Sequence, residues 1–182
     1  LTCIVGLEHN GEVWIGGDSI AIDKSLDYYP QASKKVFRLG EIVLGVAGGI
    51  RTQQILKFGI KVPPQRKESD EEWLTIRLMS SIRDAFRKEG VMKTSDGMDD
   101  SDCICLLGYN GRLYTMEGTF SAIRSIHPFQ ACGSGAPYAI GAMHALRRWG
   151  PKTSPSEMIR ASLLVAASSN AGVREPFTIL KV

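Results

Sequence analysis

The sequence has little of several things that would place a protein at once. Its three histidines (His9, His127, His144) stand apart, without the paired spacing of metal ligands. Its four cysteines (Cys3, Cys103, Cys105, Cys132) form no CxxC pair, and Cys103 and Cys105 alternate within an apolar run. That pattern reads as reduced thiols buried on one face of a strand. No stretch approaches the roughly eighteen apolar residues of a membrane span, and no charged segment followed by an apolar one opens the chain. Neither a membrane partner nor a signal peptide is expected, and the expected compartment is the cytoplasm. Charge of one sign is scarce too: 22 basic residues face 19 acidic ones, and the basic ones are scattered. A nucleic-acid partner needs them clustered on a face or stripe.

What is present is enough apolar material, 43% of 182 residues, for one domain spanning 1–182 without a linker. The first apolar runs, Thr2–Leu7 and Val13–Asp18, flank Asn10-Gly11, a hairpin signal. A polar excursion from Asp23 to Gln31 leads to a second pair, Ser33–Leu39 and Ile42–Ala47, about Gly40-Glu41. These four strands are expected to form an antiparallel meander. A short helix follows over Ile50–Phe58. Ser69 and Glu72 have capping-box spacing, and Leu74, Leu78, Ile82 and Phe86 recur every fourth residue before Gly90, which predicts an amphipathic helix.

Lys93–Asp102 reads as a solvated loop; its acidic residues lack the glycine and closing glutamate of a calcium loop. Cys103–Gly108 and Leu113–Glu117 predict another hairpin about Asn110-Gly111, and Ser121–Ile126 and Phe129–Cys132 predict two more strands. Gly133-Ser134-Gly135 opens a helix on which Tyr138, Ala142, Ala145 and Trp149 share a face. It lacks the lysine and full spacing of a phosphate loop, and no cofactor or metal is expected. Ser154-Pro155-Ser156-Glu157 starts a last helix to about Ser168, and Phe177–Val182 is a final strand. Two runs of strands, each followed by helices, point to an α+β fold: a four-layer αββα sandwich of two antiparallel sheets flanked by helices.

Four strand ends each deliver one chemical group: the Thr2 hydroxyl, the Asp18 carboxylate, the Lys35 ammonium and the backbone N–H groups of Gly48 and Gly49. A threonine hydroxyl needs a base, and a first-residue threonine can use its own α-amine, whose ordinary pKa is about 7.7–8.0. A lysine nearby favours the neutral amine, and an aspartate keeps that lysine charged. Amides at a Gly-Gly turn can hold an oxyanion. Each element alone has a plain structural explanation; together they match amide hydrolysis through an acyl-enzyme.

The residues resemble those of the proteasome β-type subunits and the bacterial HslV peptidase, which are N-terminal-nucleophile hydrolases. The resemblance is carried by Thr-x-Ile-Val-Gly from Thr2, Gly-Gly-Asp-Ser over Gly16–Ser19, Lys-Lys-Val over Lys34–Val36, Ala-Gly-Gly over Ala47–Gly49, and Cys-Gly-Ser-Gly-x-x-Tyr-Ala-x-Gly over Cys132–Gly141. It implies Thr2 as nucleophile, Asp18 supporting the lysine, Lys35 as that lysine with Lys34 the other candidate, Gly48 as oxyanion donor, and Ser134 beside the terminal amine. Ser134 also reads as a helix N-cap, and both roles can hold. By the same resemblance Ala21, Val46, Ile50 and Gly49 border the substrate, in an uncharged pocket suited to uncharged residues before the cut bond.

The implied function is an N-terminal threonine peptidase in a self-compartmentalised homo-oligomeric ring, taking peptides or unfolded proteins, with an ATP-dependent unfoldase as a possible partner. An inactive ring or scaffold subunit and a small-molecule amidohydrolase are the alternatives. Two departures stand out. The family's late Asp-x-x-Ser-Gly segment is here Ala167-Ser168-Ser169-Asn170-Ala171-Gly172, with Ser168 or Ser169 the expected stand-ins. Leu1 precedes Thr2, and an acylated nitrogen is no base. A leucine-written UUG start trimmed after synthesis, a self-cleaved propeptide end, or a retained blocking residue are the three explanations, with trimming to Thr2 expected.

Overall fold

Asn10-Gly11 and Asn110-Gly111 each reverse the chain with both residues at positive φ (51° and 78°; 46° and 72°), the geometry a two-residue hairpin demands. The first turn joins β1 (Ile4–His9) to β2 (Glu12–Gly17), the second β9 (Ile104–Tyr109) to β10 (Arg112–Met116). The structure is a computed structural model and describes residues 1–22, 28–30, 32–95 and 97–182.

The two hairpins lie in different sheets. With β12 (Phe129–Cys132) and β13 (Thr178–Lys181), the first builds a four-stranded antiparallel sheet of order β12-β1-β2-β13. With β5 (Val36–Leu39), β6 (Ile42–Ala47) and β11 (Ala122–Arg124), the second builds a five-stranded sheet of order β11-β10-β9-β6-β5. The expected meander of the first four strands is therefore corrected: after β2 the chain crosses from one sheet to the other. Within the crossing, β3 (Ile20–Ile22) pairs with β4 (Tyr28–Pro30); the rest of the expected polar excursion, Asp23–Asp27 and Gln31, lies outside the described residues. The expected loop at Lys93–Asp102 is also corrected, since it contains a small hairpin of β7 (Lys93–Ser95) and β8 (Met98–Asp100).

Strand alternation sorts the apolar side chains into three cores, which defines the four layers. Ile4, Val13, Ile15, Val43 and Leu106 fill the space between the sheets. Val5 and Leu7 point the other way, onto α4 (Ala136–Trp149) and α5 (Pro155–Ser169). Leu44, Val46 and Leu107 face α1 (Ile50–Phe58) and a long helical stretch made of α2 (Asp70–Glu72), a π-helical segment (Trp73–Leu78) and α3 (Met79–Lys88). The sheets approach closely at Gly45, where an added Cβ would sit 2.4 Å from Ile4 Cγ2 and 2.7 Å from Ile15 Cγ2.

Leu74, Leu78, Ile82 and Phe86 are all fully buried, as their spacing predicts. A step of four residues drifts by about 40° on an α-helix, and the wider π turn takes up part of that drift. Ser154 and Glu157 form the expected capping box of α5. On α4 Tyr138, Ala142, Ala145 and Trp149 share a face as expected, and it is the outer one: Tyr138 and Trp149 are 42% and 81% exposed, whereas Ala139 and Met143 are buried.

Candidate active site

Two sheets contribute charge to one point. Thr2 precedes β1 and Asp18 follows β2 in the four-stranded sheet, while Lys35 enters from the start of β5 in the five-stranded sheet. Lys35 Nζ donates to Thr2 Oγ1 at 2.8 Å and to Asp18 Oδ2 at 2.8 Å. Asp18 is held in turn by the backbone N–H groups of Cys3 (2.9 Å to Oδ1) and Ile20 (3.3 Å to Oδ2). Burial pushes the Lys35 pKa below its ordinary value of 10.5, against the opposing charge and hydrogen bond of Asp18. Burial, with Asp18 adding and Lys35 opposing, pushes the neighbouring Cys3 thiol up to about 12, so it stays protonated and inert. Lys34 is exposed and outside the site, as the alternation of strand residues requires.

Ser134 approaches Thr2 from the turn between β12 and α4. The Thr2 N–H donates to Ser134 Oγ at 3.2 Å, Ser134 Oγ donates to the Thr2 carbonyl at 3.3 Å, and Gly135 N–H donates to the same carbonyl at 3.1 Å. The N-cap of α4 is Gly135, with no side-chain cap bond, so Ser134 does not act as a cap. Its own carbonyl is tied by Asn170 Nδ2 at 3.0 Å, and Asn170 Oδ1 accepts from Gly172 N–H at 2.9 Å. Ser168 and Ser169, the expected stand-ins for the missing aspartate, are exposed on the last turn of α5. The residue that reaches the Ser134 turn is Asn170, just past the helix end.

Thr2 Oγ1 donates to the Leu1 carbonyl at 2.5 Å, and Lys35 Nζ lies 3.4 Å from the same oxygen. With Leu1 attached, the Thr2 nitrogen is an amide and cannot accept a proton.

A cleft of about 460 Å³ opens over these groups, bordered by Thr2, Ala21, Lys35, Gly48, Gly49 and Ser134, with Ile50 at its edge. The Gly48-Gly49 turn joins β6 to α1 and is braced by Gln53 Nε2, which donates to the Gly48 carbonyl at 3.2 Å. Val46 does not border the cleft: it is fully buried with Leu44 on the helix side of β6, and Ala47, pointing the other way, lines the cleft in its place. Asp102 and Ile104 also line the cleft. No sequence signal marks Asp102, because it reaches Gly48 and Gly49 only through the pairing of β9 with β6.

The remaining candidates lie elsewhere. His127, Phe129 and His144 pack ring against ring, Cys103 Sγ lies 3.3 Å from Cys105 Sγ in the core, and all four cysteines are free. Among the described residues no group of His, Cys, Asp or Glu could hold a metal ion, and no helix is long and apolar enough to cross a membrane.

No family model matches the chain. Curated relatives do: the ATP-dependent protease subunit HslV of Staphylococcus epidermidis is 27% identical over 168 residues, covering 91% of this chain and 88% of its own length. The subunit of the same name from Cytophaga hutchinsonii is 26% identical over 168 residues, with coverage of 91% and 87%. Among solved structures, Thiobacillus denitrificans BPH in complex with epoxomicin superposes with a TM-score of 0.81 at 18% identity, covering 100% of this chain and 98% of that one. Eukaryotic HslV from Trypanosoma brucei gives a TM-score of 0.67 at 15% identity, with coverage of 99% and 98%. The chain is thus HslV-like along most of its sequence and has the fold of the proteasome-type N-terminal-nucleophile hydrolases.

Proposed function

We propose that this chain is a threonine peptidase that cuts peptide bonds through an acyl-enzyme on Thr2 once Leu1 has been removed. The observation that carries this is the buried Lys35 ammonium, 2.8 Å from both Thr2 Oγ1 and Asp18 Oδ2 at the floor of the cleft. Removal of Leu1 turns the Thr2 amide nitrogen into an amine, already beside Ser134 Oγ. That amine takes the hydroxyl proton, directly or through water, as Thr2 Oγ1 attacks the substrate carbonyl. Lys35 stabilises the developing alkoxide, Asp18 keeps Lys35 oriented, and the Gly48 N–H, with the Gly-Gly turn open to substrate, holds the oxyanion. The protonated amine then gives its proton to the leaving nitrogen, and water hydrolyses the ester by the same groups in reverse. Ala21 and Gly49 flank the substrate backbone, and Ile50 takes part of a side chain.

The name the relatives carry, an ATP-dependent protease subunit, extends to this chain as a homo-oligomeric ring fed with unfolded protein by an ATP-driven unfoldase in the cytoplasm. The test is intact mass and N-terminal sequencing of the assembled protein, followed by hydrolysis of fluorogenic peptides. A chain beginning at Thr2 should hydrolyse them and bind epoxomicin; the Thr2→Ala chain should do neither. Quantitative retention of Leu1 in the assembled protein would sink the catalytic reading and leave a precursor or an inactive ring subunit.

A further inference from the structure

Among the described residues two charged side chains line the cleft, Lys35 and Asp102. The charge of Lys35 is met by Asp18. Asp102 is exposed, accepts one hydrogen bond, from Thr52 Oγ1 to its Oδ1 at 3.3 Å, and pairs with no cation among the described residues. Among the described side chains of the cleft, Asp102 is therefore the one charge without a counter-charge.

Its position relative to the reacting atoms is defined by the two glycines. Asp102 Oδ2 lies 3.3 Å from the point where a side chain on Gly49 would begin, and the Asp102 carbonyl oxygen 3.3 Å from the equivalent point on Gly48. The carboxylate thus adjoins the turn that faces the substrate carbonyl, and the missing side chains leave the way to it open. Two exposed aliphatic residues of the cleft, Ile50 (46%) and Ile104 (37%), stand on either side of that turn in sequence pairing, one from α1 and one from β9. An apolar wall ending in a carboxylate matches a side chain with an apolar stem and a cationic head, which is to say lysine or arginine.

Resting on the peptidase reading above, we infer that Asp102 is a specificity-determining residue that recruits a lysine or arginine side chain of the substrate flanking the cut bond. This replaces the uncharged pocket expected from Ala21, Val46 and Ile50, since Val46 is absent from the cleft and Asp102 is present in it. A competing, purely structural role exists: Asp102 sits by the first turn of α1, where a negative charge favours the helix. That role is blind to substrate identity, and the experiment uses the difference.

The probe is a set of internally quenched peptides identical except for arginine, lysine, norleucine or glutamate placed at one position flanking the cut bond, with products mapped by mass. For the chain trimmed to Thr2, kcat/KM should be about tenfold higher for arginine or lysine than for norleucine and lowest for glutamate. Asp102→Asn should bring the arginine-to-norleucine ratio close to one, and Asp102→Glu should retain the preference. Added salt should narrow the wild-type ratio, a readout that needs no variant to fold. A norleucine peptide cut as well as the basic ones, or an arginine-to-norleucine ratio unchanged in Asp102→Asn, overturns the inference while Thr2-dependent hydrolysis still stands. If the trimmed wild type cuts no peptide and binds no epoxomicin, the peptidase reading itself fails and the inference falls with it.

Discussion

Lys35 and Asp18 form an ion pair at 2.8 Å with side chains only 2% and 0% exposed. Such a pair is costly to bury and more costly to break, because removing one member leaves the other charged, buried and alone. Asp18 retains two backbone N–H donors when Lys35 is lost, whereas Lys35 loses its one counter-charge among the described residues when Asp18 is lost.

Lys35→Met and Asp18→Asn are each expected to destabilise the fold, by about 3–5 kcal/mol at the upper end for a broken buried pair. Peptide hydrolysis should fall by at least about a hundredfold in both. Chemical denaturation read beside peptidase assays separates the two effects. Activity that survives in Lys35→Met would remove Lys35 from the mechanism.

The pH dependence follows from two groups. The amine freed at Thr2 must be neutral to accept a proton; its ordinary value is about 7.7–8.0, and the adjacent ammonium lowers it. The rate should therefore rise with pH along an acid limb at or below that value. Burial sets the Lys35 pKa below 10.5, so its ammonium is lost at lower pH than that of a free lysine, and an alkaline limb should appear below 10.5. For stability the sign is the same throughout: the folded chain holds the Lys35 proton more weakly than the unfolded chain. Its contribution is thus full above 10.5 and is lost as pH falls through the folded value. A pH–rate profile and a Tm series on the same samples test both statements.

Asn170 should be needed for position more than for charge. Asn170→Asp keeps an acceptor for Gly172 N–H but removes the donor to the Ser134 carbonyl. We expect a loss of about 1–2 kcal/mol in stability and a fall in kcat of about tenfold, from a displaced Ser134 turn. An unchanged kcat would detach that turn from catalysis.

Gly45→Ala should be damaging without touching the cleft. Its new methyl would meet Ile4 and Ile15 between the sheets, an overpacking that costs about 1–3 kcal/mol. Thermal denaturation should show the loss.

The site residues next to strand ends were legible because short motifs carry them. Thr2, Asp18, Lys35, Gly48 and Ser134 each sit at one end of an apolar run, and the structure brings Thr2, Lys35, Gly48 and Ser134 to one cleft, with Asp18 buried against Lys35. What escaped the sequence depends on partners distant along the chain. The transfer between sheets after Ser19 leaves no local mark, so two hairpins looked like one meander. Val46 and Ala47 are both small and apolar, and only the layers on either side of β6 decide which meets the cleft. On α4, alanines occur on several faces, and the packed face is set by β12 and α5. Asp102 and Asn170 reach the site by strand pairing and by a turn past a helix end, neither of which is a pattern in sequence.

Thr2 and Asp18 belong to one sheet and Lys35 to the other, and the two sheets are packed together through the core around Ile4 and Val43. A chain still emerging from the ribosome, or one whose layers have come apart, holds the nucleophile and its ammonium far from each other. On the proposed mechanism, hydrolysis is thereby conditional on completed tertiary structure, and heating should silence it no later than it melts the stack.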